Sequence, residues 1–287
     1  MTPVDFEYQR ATSVDEALSL LRDGGPNAKL LAGGHSLLPA MKLRLSAPST
    51  LIDVSEISEL AGITEDGDRL RVGALTTHRM VEQSDLVQAR CPALAELASR
   101  IGDPQVRNRG TIGGSLAHAD PAADYPALVL ALGADVEIRG ANGARTVAAD
   151  DFFVEMYETA VGDDEMITAI TFPVIGAGQG AAYAKFANPA SRYAVVGVAA
   201  MLTMRGDTCQ SARVAVTGAA PMAFHATAVE QRLTGQRLDA GAIEAAVADM
   251  ADPADLMEDL SGSAEYRAHL CEVQAKKAIQ QAMEQAR

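Results

Sequence analysis

Cysteine is scarce in this chain of 287 residues. Cys91, Cys209 and Cys271 lie far apart in the sequence, and no C-x-x-C motif occurs. This spacing excludes a disulfide framework, and it also excludes a zinc or iron–sulfur site formed by the chain's own cysteines. We expect the three cysteines to be simple thiols, and we predict no metal site.

Basic residues are also in short supply, since 24 Lys and Arg stand against 38 Asp and Glu and the formal net charge is −14. So acidic a surface repels a phosphate backbone, which argues against nucleic acid as a partner. The longest apolar run, at 193–204, is too short to cross a bilayer. The N-terminal residues lack the basic and apolar regions of a secretory signal. We therefore predict no integral membrane segment and a cytoplasmic location.

Several motifs for nucleotide binding and catalysis are missing. Neither a Walker A loop nor the Rossmann G-x-G-x-x-G fingerprint occurs, because Gly176, Gly178 and Gly180 form only G-x-G-x-G in a linker. A G-x-S-x-G elbow is absent as well, and no nucleophile lies next to a base in a recognisable pattern. A dinucleotide would have to be bound in another way, and we predict no catalytic residue on this chain.

The order of predicted elements indicates two parts. Residues 1–172 mix short strands and helices without a regular βαβ rhythm. Ser13 and Glu16 form a capping box that predicts the start of a helix. The Pro- and Gly-rich segment 173–182 predicts a domain boundary. Beyond it we expect a meander of three antiparallel strands and then helices, the last of them from Ser263 onward.

Two segments place Gly-Gly next to a serine, namely "LLAGGHSLLP" at 30–39 and "GTIGGSLAH" at 110–118. Glycines allow the backbone to approach a ligand closely, and consecutive N–H groups can then bind an anion. The hydroxyl groups of Ser36 and Ser115 would add donors, and two such loops could share one pyrophosphate. For either loop alone, a tight turn remains the simpler interpretation.

Other polar residues allow more than one interpretation. His118, Asp120 and Asp124 lie close together in "HADPAAD" and could form a metal site, a solvated loop with Asp124 as a helix cap, or polar contacts to a cofactor. Lys185 and Tyr193 could be an ordinary strand lysine and loop aromatic. Alternatively, the lysine could neutralise a phosphate and the tyrosine could stack on a flat ring.

Taken together, these segments resemble one family. The resemblance is carried by "AGGHSLLPAMKLRL" at 32–45, "IGDPQVRNRGTIGGSLAHADPAADYPA" at 101–127 and "SRYAVVGVAAMLT" at 191–203, and it covers essentially the whole chain. The chain is similar to the FAD-binding medium subunits of molybdenum hydroxylases. This group includes carbon monoxide dehydrogenase and the flavin domain of xanthine dehydrogenase.

The resemblance implies an α+β fold. A vanillyl-alcohol-oxidase-like (PCMH-type) FAD-binding domain is expected over residues 1–175, in two α+β subdomains of about 1–55 and 56–175. A C-terminal domain of the carbon monoxide dehydrogenase flavoprotein type, with a three-stranded antiparallel sheet plus helices, is expected over 181–287.

The resemblance also implies an FAD site. The first pyrophosphate loop would lie at 32–36 and the second at 111–115. Asp124 would reach a ribityl or ribose hydroxyl, Lys185 would lie near the flavin, and Tyr193 would cover the isoalloxazine ring. The expected FAD-binding residues are Ala32, Gly33, Gly34, His35, Ser36, Leu37, Thr111, Ile112, Gly113, Gly114, Ser115, His118, Asp120, Asp124, Lys185 and Tyr193.

The implied function is electron transfer in a heterotrimer, with no catalytic side chain on this subunit, because FAD carries the redox chemistry. A small subunit would hold two two-iron clusters, and a large molybdenum–pterin subunit would bind the substrate. The complex would be a dimer of heterotrimers in the cytoplasm, with a peripheral attachment to the inner face of the membrane left open. Two alternatives remain: a stand-alone FAD-dependent oxidase, and a non-redox nucleotide-binding partner protein.

Overall fold

The computed structural model describes residues 2–287, and its first part is a small parallel sheet with a helix against it. Its elements are β1 (Glu7–Arg10), α1 (Val14–Gly24), β2 (Ala28–Leu31), α2 (Leu37–Lys42) and β3 (Thr50–Asp53). Strands β1 and β2 each pair with β3 in parallel. Because β2 leads straight into the first Gly-Gly segment, the sheet fixes one end of that loop.

The start of α1 follows the predicted capping box with one difference. Ser13 Oγ accepts a hydrogen bond from the amide of Glu16 at 3.2 Å. The Glu16 carboxylate reaches back to the amide of Thr12, at 2.7 Å, instead of the amide of Ser13. The side chains of Ser13 and Glu16 therefore still provide acceptors for amides at the helix start. The apolar face of α1 is buried through Val14 and Leu18.

The second part is built on an antiparallel sheet of five strands, which in spatial order are 63–66, 69–73, 166–173, 135–140 and 143–148. Its elements are β4 (Ile63–Asp66), β5 (Arg69–Gly73), α3 (His78–Gln83), α4 (Asp85–Arg90), α5 (Pro92–Ser99), α6 (Pro104–Arg107), α7 (Ile112–His118), α8 (Tyr125–Leu132), β6 (Asp135–Gly140), β7 (Gly143–Ala148), β8 (Phe153–Glu155), β9 (Glu158–Thr159) and β10 (Met166–Pro173). Strands β8 and β9 form a separate hairpin. Every residue of α8 is buried, which explains why its sequence is apolar on all sides.

The third part is an antiparallel sheet with helices on it. Its elements are β11 (Gln179–Ala187), β12 (Ala194–Arg205), β13 (Thr208–Thr217), β14 (Phe224–His225), α9 (Thr227–Leu233), α10 (Ala240–Val247) and α11 (Ala264–Gln285). The three long strands form the predicted meander, and the short strand β14 adds to it by pairing with β13. Strand β14 was not predicted from the sequence pattern. Two residues are too few to show the alternation of a strand.

The third part packs on the second through α8, which contacts β12 and β13 of the third part and β10 of the second. One hydrophobic core accordingly runs from Leu70 and Leu128 to Tyr183 and Ala215. The predicted domain boundary at 175–181 therefore does not coincide with a gap in the hydrophobic core. The division into two domains remains a prediction. Among the described residues, no helix combines the length and the apolar character needed to span a bilayer.

Candidate functional site

The structure brings the two Gly-Gly segments together. A Cβ atom placed on Gly33 would lie 2.1 Å from the carbonyl oxygen of Arg109 and 2.9 Å from Cα of Gly110. A Cβ atom placed on Gly114 would lie 4.0 Å from the Cβ of Ala32. The first loop therefore lies directly against the residues that lead into the second segment, and glycine at position 33 is what allows this approach.

The first loop connects β2 to α2 and leaves a run of backbone donors free. Gly34 has a φ of +72°, a conformation that glycine adopts readily. Within residues 2–287, the amide N–H groups of residues 33–37 find no acceptor. The His35 ring is turned back on the loop, with Nδ1 3.0 Å from the carbonyl oxygen of Gly33. A run of consecutive free amides is a concavity suited to an anion such as a phosphate.

The second segment differs from its prediction as a loop, because residues 112–118 form α7. Thr111 is the N-cap, and its Oγ1 accepts a hydrogen bond from the third residue of the helix. The amide of Ile112 donates to the carbonyl oxygen of Thr76 at 3.1 Å, and the amide of Gly113 donates to that of Ala74 at 2.9 Å. The amides of Gly114 and Ser115 both donate to Thr111, the first to Oγ1 at 3.2 Å and the second to the carbonyl oxygen at 3.0 Å. These four amides are therefore already hydrogen-bonded within the protein. The groups of the second segment that could contact a ligand are the hydroxyl groups of Thr111 and Ser115.

Close packing requires glycine at two further positions, Gly110 before α7 and Gly113 within it. A Cβ atom on Gly113 would lie 2.5 Å from the Cβ of Ala74, and one on Gly110 would lie 2.5 Å from Nε2 of His78. His78 was not singled out from the sequence, where it appears as an isolated histidine. It is buried, and burial lowers its pKa to about 4 with further effects from His35 and Arg107, so the ring is neutral near pH 7.

Asp124 lies at the start of α8, as predicted, but its side chain makes no capping hydrogen bond. Its Oδ1 accepts from the Tyr183 hydroxyl at 2.6 Å and from Lys185 Nζ at 2.8 Å. Burial raises the pKa of Asp124, and the ammonium of Lys185 and the hydroxyl of Tyr183 oppose that effect. No described residue donates a hydrogen bond to Oδ2, so the carboxylate retains capacity for a ligand hydroxyl.

Lys185 uses all of its donors inside the protein. Besides Asp124, its Nζ donates to the carbonyl oxygens of Arg100 at 2.9 Å and Arg192 at 2.8 Å. The side chain is only 5% exposed. An ammonium group has three N–H donors, so none is left for a phosphate. The suggestion that Lys185 forms a direct ion pair with a phosphate therefore does not fit, although its charge lies beside the site.

Two tyrosines and the "HADPAAD" segment form the rim of the site. Tyr193 is 41% exposed. Burial and then the carboxylate of Asp120 raise its pKa, and the Ser36 hydroxyl lowers it, so both groups lie near the phenol. Tyr157 was missed by the sequence analysis. It has a φ of +59°, and its ring centroid lies 5.2 Å from that of His118.

The first loop and the rim together provide three kinds of contact for a ligand. Free amides provide an anion site, Asp124 provides an acceptor for a hydroxyl, and Tyr193 provides an exposed aromatic face. Within the described part of the chain, no group of three or more His, Cys, Asp or Glu side chains is arranged to hold a metal ion. These features suit a large ligand with phosphates, hydroxyls and a flat ring.

Two family descriptions match consecutive parts of the chain. Residues 4–175 match the FAD binding domain in molybdopterin dehydrogenase. Residues 181–282 match the CO dehydrogenase flavoprotein C-terminal domain.

Individual proteins are similar over their full length. The chain is 43% identical to the carbon monoxide dehydrogenase medium chain of Hydrogenophaga pseudoflava, over 97% of each chain. It is 40% identical to the carbon monoxide dehydrogenase medium chain of Afipia carboxidovorans, over 100% of each. A solved structure of carbon monoxide dehydrogenase from Hydrogenophaga pseudoflava superposes with a TM-score of 0.95 and 44% identity, covering 99% of each chain.

Proposed function

The chain belongs to the family of FAD-binding medium subunits of molybdenum hydroxylases, and from this premise we propose that it relays electrons between a partner subunit and an external acceptor. It is thus an FAD-binding oxidoreductase subunit, with the expected PCMH-type FAD-binding domain followed by the carbon monoxide dehydrogenase flavoprotein type of C-terminal domain. The chemistry that FAD supplies when bound is the acceptance of electrons and their release to that acceptor.

The run of free amides in the first loop is the observation that best supports this proposal. We propose that the N–H groups of residues 33–37 bind the pyrophosphate of FAD and that Thr111 and Ser115 contribute hydroxyl groups. Asp124 would accept a hydrogen bond from a ribityl or ribose hydroxyl through Oδ2. His118 and Asp120 would make polar contacts at the rim.

Tyr193 provides the aromatic face of the proposed site. Its ring is partly exposed and lies near Ser36 of the first loop and near Asp120, and we propose that it covers one face of the isoalloxazine and limits access of acceptors. Lys185 would contribute positive charge near the ring without donating a hydrogen bond to it, since its donors are already used.

The partners follow from the family. The similar proteins are described as medium chains, which implies smaller and larger subunits beside them. We propose a small subunit with two two-iron clusters and a large molybdenum–pterin subunit that binds the substrate, assembled as a dimer of heterotrimers in the cytoplasm. The chain's own cysteines are buried, and burial raises the pKa of Cys91 and Cys271 to about 12, so they are poor metal ligands.

A stand-alone oxidase would need a base that can act on a substrate. Asp124 and Lys185 bind each other, and His78 is a buried, weak base whose pKa burial lowers to about 4, so none of these three is a strong base that a substrate can reach. This arrangement favours positioning of a cofactor over acid–base catalysis.

The proposal is tested by the visible spectrum of the purified chain and by its response to partners. We expect a flavin absorption band that is not bleached by small substrates when the chain is alone. Addition of the small and large subunits with their substrate should bleach it. Bleaching by a small substrate without partners would identify a stand-alone oxidase. Retention of a colourless nucleotide in place of a flavin would identify a non-redox binding protein.

A further inference from the structure

Lys185 joins two segments that are distant in sequence. Its ammonium binds the carbonyl oxygen of Arg100, at the end of α5, and the carbonyl oxygen of Arg192, in the loop between β11 and β12. We infer that Lys185 is a positioning residue that fixes Tyr193 at the mouth of the site. The inference rests on the proposed function, because it concerns the part that Tyr193 plays there.

The bond to Arg192 acts directly on the backbone of Tyr193. The carbonyl oxygen of Arg192 and the amide nitrogen of Tyr193 belong to one planar peptide group, so holding the oxygen orients the start of Tyr193. On the other side, the carbonyl oxygen of Tyr193 accepts a hydrogen bond from the amide of Asn188 at 2.8 Å. Both peptide groups of Tyr193 are therefore fixed by named contacts.

The loop needs these contacts because it holds an unfavourable backbone conformation. Arg192 has a φ of +62°, in the left-handed region that is unfavourable for a residue with a side chain. The Asn188 side chain supports the same loop, since its Oδ1 accepts from the amides of Ala190 at 2.9 Å and Ser191 at 3.2 Å. Such a conformation persists only where its surroundings hold it in place.

Burial makes the arrangement specific. Lys185 and Asp124 are each 5% exposed, so their ion pair is protected from water and screening salt. An ammonium with three fixed acceptors cannot turn to another partner without leaving a buried group unpaired. Tyr193 is therefore a fixed cover of the site, whose remaining freedom is rotation of its side chain, and the loop is not a mobile lid.

A cycle of variants separates this role from direct action of Lys185 on the flavin. Asp124→Asn serves as the background, because it removes the carboxylate that Lys185→Met alone would leave buried and unpaired. In the background variant we expect the ammonium to keep its hydrogen bonds to the carbonyl oxygens of Arg100 and Arg192. Adding Lys185→Met removes those two bonds and keeps an unbranched apolar side chain of similar length.

The first measurement does not depend on the cofactor. Amide hydrogen exchange in residues 188–193 of the full chain should become faster when Lys185→Met is added to Asp124→Asn, with or without FAD. Unchanged exchange in this loop would overturn the inference.

The second measurement is the fluorescence of bound FAD, which an adjacent tyrosine ring quenches by donating an electron to the excited flavin. All variants in this measurement carry Asp124→Asn. Adding Tyr193→Ala should raise the fluorescence, and adding Lys185→Met should raise it toward the same level. Once Tyr193→Ala is present, Lys185→Met should have no further effect. A further effect in that background would show that Lys185 acts on the flavin directly and would overturn the inference.

The outcomes also separate the inference from the proposed function. If Tyr193→Ala raises the fluorescence and Lys185→Met does not, only the positioning role is wrong. If Tyr193→Ala leaves bound FAD unchanged, the proposed cover is wrong and the inference fails with it. If the Lys185 variants lose FAD, Asn188→Ala takes their place as the test of the positioning role. It loosens the same loop from the other end, so it should also raise the fluorescence, and unchanged fluorescence would overturn the inference.

Discussion

Gly33 shows how little space separates the two segments of the site. A methyl group at this position would overlap the carbonyl oxygen of Arg109 at 2.1 Å, and backbone atoms cannot move aside as a flexible side chain can. We expect Gly33→Ala to push the first loop away from its neighbour and to displace the free amides. The dissociation constant for FAD should rise at least about tenfold, which corresponds to about 1.4 kcal/mol.

Gly176→Ala is a matched control for this change. Its Cβ would meet only Oε1 of Gln179, at 3.4 Å, which is an ordinary contact. FAD titration of both variants checks the prediction. If Gly33→Ala binds FAD as tightly as Gly176→Ala does, then the loop does not form the pyrophosphate site.

Individual residues also show what sequence reasoning can and cannot reach. The Gly-Gly pattern at 33–34 marked a turn after β2 that leaves backbone amides free, because the conformational freedom of glycine is a local property. That this turn binds an anion remains a prediction. The partners of Lys185 were not predictable, since Arg100 and Asp124 lie 85 and 61 positions away. Tyr157 was missed because nothing in its sequence neighbourhood signals a positive φ or a ring beside His118.

At the scale of elements, α7 is where a prediction was wrong. Two adjacent glycines suggest a loop, but the hydroxyl of Thr111 starts a helix and the buried side chains of Ile112 and Leu116 anchor it. Close packing of Gly113 against Ala74 outweighed the poor helix propensity of glycine. The short strand β14 was missed because only its pairing with β13 makes it a strand, and a two-residue segment carries no pattern of its own.

The N-cap of α7 gives a prediction at this scale. Thr111→Ala removes the side-chain oxygen that binds the amide of Gly114, and loss of such a cap costs about 1 kcal/mol. We expect a lower denaturant midpoint with an unchanged slope, together with weaker FAD binding, since the helix start lies against the first loop. Thr111→Ser keeps the oxygen and should restore both. Equal stability of the alanine and serine variants would show that the cap is not needed.

At the scale of the whole molecule, the C-terminal sheet is joined to the rest by polar contacts as well as by the core around α8. Arg213, on β13, donates to the carbonyl oxygen of Leu130 at 2.8 Å and to Asp150 Oδ1 at 2.6 Å. His225, on β14, lies 3.1 Å from the same carboxylate oxygen. The sequence predicted each part separately, but it could not predict their arrangement, because these contacts join positions 63 to 83 residues apart.

This junction should make stability depend on pH. His225 Nδ1 lies 2.8 Å from Glu230 Oε1, and the hydrogen bonds to Glu230 and then Asp150 raise the pKa of His225 above 6.5, against opposing effects of burial and Arg213. Because the folded state holds the proton more tightly than the unfolded state, the stabilisation is complete below 6.5 and disappears as the pH rises through the folded-state pKa. The pKa values of Asp150 and Glu230 are lowered, so their contributions are lost only in acid.

His225→Gln isolates the effect, because glutamine keeps a polar side chain that does not titrate. We expect the wild-type chain to have the higher melting temperature below pH 6.5, and the difference to shrink as the pH rises above that value. For a chain of this size, about 1 kcal/mol shifts the midpoint by roughly 2–4 °C, which thermal denaturation resolves. A difference that is constant with pH, or that grows toward alkaline pH, would show that protonated His225 does not stabilise the fold through Glu230 and Asp150.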